Sequence, residues 1–261
     1  MGPTGYVAIG DSQTEGVGDP DGSGGWRGFA DRLAEQLAGL TPDLHYANLA
    51  VRGRFARQVR DEQLDVALAL RPALVTVVAG MNDLVRPSFS ATEVGACLDD
   101  MFAELTASGA RVATLTFPDL SQLTPILRPL RHRVLDLNAS IRTSAARHGV
   151  ALVDTFGYSV ITDSRLWCPD RLHANPVGHA RIAAAFAQAL GLPGSDDSWS
   201  RPLPAGERRT VVSRVADDLG WLARFVGPWV YRRVRGRSSG DHRVAKRPTP
   251  IPVIPPTTEP A

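Results

Sequence analysis

Five short apolar runs, each followed by a longer stretch with helical periodicity, leave this 261-residue chain few folds to choose from. The runs are Tyr6 to Ile9, Leu44 to Asn48, Leu74 to Val78, Arg111 to Thr116 and Ala151 to Val153. Central strands this apolar must be covered on both faces, and strands that alternate with helices form a parallel sheet with crossover helices. The expectation is an α/β protein: a three-layer α/β/α sandwich around a flavodoxin-like, five-stranded parallel sheet. Among the helices, Trp26, Phe29, Leu33, Leu37 and Leu40 recur at steps of three to four, as a buried helical stripe requires. Similar patterns run over Phe55 to Leu70, Ala91 to Ala107, Leu130 to His148 and Pro176 to Leu190, the last with proline at a helix start.

The pattern changes after Gly194. Residues 1–194 read as the α/β domain, 195–237 as a basic helical extension and 238–261 as a Pro-rich tail too poor in packing residues to order itself. The chain beyond Gly194 carries 12 Arg and Lys against 7 Asp and Glu. An apolar stripe through Val211, Val215, Leu219, Leu222 and Val226 predicts a helix that packs on the body. The competing expectation for 207–237 is weak contact with a membrane surface.

Composition narrows the function classes. A net charge of +2 is too small for a dedicated nucleic-acid binder. Cys97 and Cys168 lack the spacing of a zinc or redox motif, and two thiols make no disulfide framework. The first residues show no basic-then-apolar leader, and no segment is apolar enough to span a bilayer, so a cytoplasmic location is expected. The oligomeric state is left open.

Three of the predicted strands end in residues that bear chemistry. The first ends in Gly10-Asp11-Ser12, which puts Ser12 at a strand's carboxyl end, where open α/β sheets build their sites. The second leads into Asn48-Leu49-Ala50-Val51-Arg52-Gly53, and the third ends in Gly80-Met81-Asn82-Asp83. Backbone amides at Ser12 and Gly53 and the Asn82 side chain are the donors that a developing oxyanion needs. Before the last helix, Asp170-Arg171-Leu172-His173 places a carboxylate where it can reach Nδ1 and leave Nε2 to take a serine proton. Taken singly, Ser12 is also a helix cap, Asn82 a loop residue, Gly53 a turn and Asp170 a cap in a surface turn. Four loops that fit one chemistry favour the serine hydrolase.

These four blocks, in this order, resemble the SGNH hydrolases, or GDSL esterase/lipase family, named for Ser, Gly, Asn and His. The matching residues are Ser12, Gly53, Asn82 and His173, and the resemblance spans about residues 4 to 192. Gln13 follows the serine where the eponymous motif has leucine. The resemblance implies a catalytic triad of Ser12, Asp170 and His173, with an oxyanion hole from Ser12, Gly53 and Asn82. It implies a small-molecule ester as substrate, short acyl chains or acetyl groups being the expectation, and neither metal nor organic cofactor. A lysophospholipase or thioesterase acting near membranes is the alternative. A non-catalytic flavodoxin-like binding module is the alternative of another class, although Asp11, Glu15 and Asp19 make the first loop a poor phosphate cradle.

Around this site, Asp11 is expected to fix the serine loop and Asp83 to cap the helix after it. Trp26, Phe117 and Trp167 are candidates for lining a cleft. His179 shares no helical face with His173 and is not expected to join it on a metal.

Overall fold

The computed structural model describes residues 5–123, 125–205, 220–221, 224–225 and 238–254. The chain enters through β1 (Gly5–Gly10), a short helix α1 (Ser12–Glu15) and α2 (Gly28–Ala38). There follow β2 (His45–Asn48), α3 (Ala56–Ala69), β3 (Leu74–Val78), α4 (Met81–Leu84) and α5 (Ala91–Ala107). Then come β4 (Arg111–Leu115), α6 (Leu120–Leu123), α7 (Arg131–His148), β5 (Ala151–Val153) and α8 (Pro176–Ala189). A last strand, β6, spans Arg247–Pro252.

All five strands expected from the apolar runs are present and mutually parallel, in the order β5-β4-β3-β1-β2. Helices α2 and α8 pack together on one face, and α3, α5 and α7 form the other layer. Every residue of β3 is buried, as double coverage requires. Tyr6, Phe29, Leu33, Phe102 and Phe186 are among the largest fully enclosed side chains. From β1 the chain turns first to β2 on one side and then crosses to β3 on the other. The gap between β1 and β3 is therefore the topological switch point, where open α/β sheets bind ligands beyond their strands' carboxyl ends. Helix α2 stops at Ala38, one residue before Gly39, so Leu40 of the predicted stripe is exposed.

The expected five-stranded sheet is corrected to six. The sixth strand comes from the Pro-rich tail, which for these residues is ordered: β6 pairs antiparallel with β2, Tyr46 opposite Ile251. With prolines at 248, 250 and 252, this segment belongs to the tail that reads as too poor in packing residues to order itself. At an edge only one side of the strand needs N–H donors. Val253 N–H faces β2 and donates to Leu44 O (2.9 Å), so by alternation the positions held by proline face outward. The prolines thus deny a seventh strand its donors.

The same return is pinned by the chain's one lysine. Lys246 Nζ donates to Trp26 O (2.8 Å), Arg27 O (2.7 Å) and Asp31 Oδ2 (2.6 Å) at the start of α2. Burial pushes the Asp31 carboxyl up and the Lys246 amine down, each opposed by the other's charge. The predicted basic helix over 207–237 lies outside the described residues except at Gly220, Trp221, Arg224 and Phe225. Among the described residues, no helix is long and apolar enough to cross a membrane.

Candidate active site

Ser12, Asp170 and His173 meet at the switch point. Ser12 Oγ lies 2.9 Å from His173 Nε2, and His173 Nδ1 lies 2.6 Å from Asp170 Oδ2. The other Asp170 oxygen accepts from the Leu172 N–H (3.0 Å) and the His173 N–H (3.1 Å), folding the Asp-x-x-His turn around its own carboxylate. Burial works to raise the Asp170 carboxyl, but the His173 hydrogen bond and the two backbone donors outweigh it and hold it below the usual range. An ionised Asp170 keeps the hydrogen on Nδ1, so Nε2 faces Ser12 as an acceptor.

Several buried polar contacts hold the serine loop to its neighbours. Gln63 uses both ends of its amide on the Gly10 backbone, accepting from N–H (2.8 Å) and donating to O (2.9 Å). Asn48 Nδ2 donates to Thr14 O (2.7 Å) while Asn48 Oδ1 takes the Ala50 N–H (3.1 Å), tying the β2 loop to α1. Glu15 accepts from the Arg52 N–H (2.7 Å) and guanidinium, which fixes the residue before Gly53. Gln13 straddles His173: its Nε2 donates to Leu172 O and its Oε1 accepts from the Ala174 N–H, both at 3.3 Å. The residue that departs from the eponymous motif thus fastens the serine loop to the histidine loop.

Gly53 and Asn82 line the same cavity as Ser12 and His173, as expected. Gly53 has φ +77°, and a Cβ there would collide with Ser238 Oγ of the returning C-terminal segment. A Cβ on Gly240 would likewise collide with Arg52 O, so the return packs directly on the loop that carries the Gly53 amide. Asn82 Nδ2 donates to Asp11 Oδ2 and to Arg54 O, both at 3.0 Å.

Asp11 does fix the serine loop, through Asn82 and through the Gln13 N–H (3.2 Å). Burial pushes its carboxyl up to about 7, against the pull of the Gln13 N–H and of His173. Its folded-state value lies above the ordinary value, so folding favours the neutral acid; any stability it contributes is full below about pH 4 and is lost as pH rises through 7. Isotope-edited infrared titration of the folded protein should find one aspartyl carboxyl ionising near pH 7 and absent from Asp11→Asn. A titration with every carboxyl ionising below pH 5 would contradict this.

Asp83 does not cap the helix that follows it, which Ser90 caps instead. Its Oδ2 accepts from the Ala56 N–H (3.0 Å) and so caps α3, joining the Asn82 loop to the segment after Gly53. His179 is wholly buried: Nδ1 accepts from the Phe29 N–H (3.1 Å), Nε2 faces Val17 O (3.2 Å), and burial pushes its imidazole down to about 4. It is a neutral core histidine. No group of three His, Cys, Asp or Glu fit to hold a metal occurs among the described residues.

The cavity measures about 250 Å³, and its walls are mostly apolar: Met81, Val85, Leu127, Leu172, Trp221 and Phe225. None of the aromatics named as cleft candidates lines it. Trp26 lies under the Arg52 guanidinium (5.7 Å), Trp167 Nε1 donates to Ile161 O (2.8 Å), and Phe117 is buried beside Gly80. The aromatics that do line it, Trp221 and Phe225, were missed because no local motif marks them.

The family model described as GDSL-like Lipase/Acylhydrolase family matches residues 8–181. No curated protein matches. Among solved structures, LAE5, described as an alpha/beta hydrolase enzyme from the metagenome of Lake Arreo, is 24% identical with a TM-score of 0.60, over 73% of this chain and 97% of that one. Axe2, an acetylxylan esterase from Geobacillus stearothermophilus, is 19% identical with a TM-score of 0.60, over 77% and 98% of the two chains. EstA, a psychrotrophic esterase from Pseudoalteromonas sp., is 16% identical with a TM-score of 0.57, over 72% and 97%. At these identities the likeness is one of fold.

Proposed function

The chain belongs to the GDSL-like Lipase/Acylhydrolase family, and from that premise we propose that it is a serine esterase cleaving carboxylic esters through an acyl-Ser12 intermediate. The unbroken run from Ser12 Oγ through both nitrogens of His173 to Asp170 carries this reading. Ser12 Oγ attacks the ester carbonyl carbon while its proton passes to Nε2. Asp170 stabilises the imidazolium without itself becoming protonated. As the tetrahedral adduct collapses, the carbon–oxygen bond to the alcohol breaks and the alcohol oxygen takes the proton from Nε2. Water, deprotonated by His173, then releases the acid and restores Ser12.

The oxyanion is held by the Ser12 and Gly53 amides and by Asn82. Both hydrogens of the Asn82 amide have acceptors in the resting arrangement, so one must be exchanged for the oxyanion. Asn82→Ala is expected to lower kcat by about two to three powers of ten. Covalent labelling of Ser12 by a fluorophosphonate should slow in that variant but persist. An unchanged kcat would remove Asn82 from the oxyanion hole.

Short acyl groups are the proposed acid component. The fold likeness to Axe2, an acetylxylan esterase, supports acetyl esters as the first to try. The experiment is a panel of p-nitrophenyl esters of increasing acyl length beside acetylated sugars. Acetate and butyrate should turn over faster than long chains, and an optimum at long acyl chains would overturn the short-acyl assignment.

A further inference from the structure

Most of the cavity's polar lining is accounted for by the proposed chemistry, but two aromatic residues are not. Trp221 and Phe225 lie 40 and 44 residues beyond the family match, which ends at 181, yet both line the cavity with Ser12 and His173. Trp221 is also the more firmly seated of the two. It is 5% exposed, its Nε1 donates to Asp170 O (2.7 Å), and its ring lies under the Arg171 guanidinium (5.3 Å). A tryptophan whose one polar atom is satisfied presents an otherwise apolar surface.

The direction of the chemistry says which part of the ester meets that surface. The alcohol leaves with the proton held on His173 Nε2, so it departs on the His173 side of Ser12. That side is built by the Asp170-to-His173 turn, to which Trp221 is bonded. We propose that Trp221 and Phe225, with Leu172, form the wall that receives the alcohol part of the substrate, and that this alcohol is apolar. This rests on the esterase reading above and adds the leaving group's chemical class to it. A cavity of about 250 Å³ lies below the range of pockets for drug-sized ligands, so the alcohol is compact, of the size of a single ring. The segment beyond the family match thus sets selectivity for the leaving group.

The test uses two pairs of esters on the full chain. Methyl and benzyl acetate share one acetyl-enzyme and so the same deacylation step, which leaves kcat/KM to report the alcohol's passage through acylation. p-Nitrophenyl acetate and butyrate share the alcohol and differ in the acid. Phe225→Ala is expected to lower kcat/KM for benzyl acetate about tenfold more than for methyl acetate. The butyrate-to-acetate ratio should stay within about twofold of wild type. Trp221→Leu should act in the same direction, and melting curves of both variants separate a lost wall from a lost fold.

Equal losses on methyl and benzyl acetate would make the two aromatics structural supports, and a loss that follows acyl length would make them the acid's wall. Either result overturns the proposal, as does unchanged selectivity in a wild type that hydrolyses all four esters. A wild type that hydrolyses none of them and is unlabelled at Ser12 overturns the esterase reading itself, and the wall falls with it.

Discussion

His173→Ala is expected to lower kcat for a short p-nitrophenyl ester by about four to six powers of ten. Ser12 would keep its place on the loop tied down by Gln63 and Asn48, but it would lose the His173 Nε2 that takes its proton. The loss should be of kcat far more than of KM, because the imidazole acts as acid and base and contributes little to holding the ground state. The Asp170 carboxylate would still accept the Leu172 and residue-173 N–H groups, so the turn should keep its shape. Far-ultraviolet circular dichroism and melting curves should therefore match wild type closely. Residual turnover within tenfold of wild type would assign the base elsewhere.

Asp170→Asn should cost about four powers of ten in kcat while leaving the fold in place. The amide oxygen can retain the two backbone bonds that Asp170 Oδ1 now accepts. Its NH2 would then face Nδ1, which lies 2.6 Å from Oδ2 in the native site. A donor there turns Nδ1 into an acceptor and moves the imidazole hydrogen to Nε2, the wrong side for receiving the Ser12 proton. Imidazole nitrogen shifts measured by NMR would report that tautomer directly. A variant that keeps the hydrogen on Nδ1 and most of its rate would show that Asp170 does no more than cap its turn.

Much of this site is legible in the sequence because its parts are local. Ser12, Gly53 and Asn82 each follow a strand by a few residues, and a parallel sheet brings such loops to one edge. Asp170 and His173 share a single turn, so their pairing needs only the spacing. The long-range contacts are less legible. Asp83 precedes a helix and reads as its cap, yet its carboxylate caps α3 across 27 positions through a tertiary contact with the Ala56 N–H.

The alternating prolines from 248 to 252 lie in a tail that reads as too poor in packing residues to order itself. At the sheet edge the same alternation is compatible with pairing on one side and protects the other. Trp221 reaches Asp170 across 51 positions by one indole hydrogen bond, which no periodicity or motif announces. Of the aromatics near the loops, Phe117 and Trp167 are buried away from the cavity, and Trp26 lies half-buried under the Arg52 guanidinium.

The claim on which the rest depends is that Ser12 Oγ is the nucleophile, and a fluorophosphonate probe tests it in one step. After exposure of the full chain, intact and peptide mass spectrometry should find a single adduct, located on Ser12, and none on folded Ser12→Ala or His173→Ala within the same time. A well-folded wild-type chain that stays unlabelled, or one whose label falls on another residue, would contradict the account.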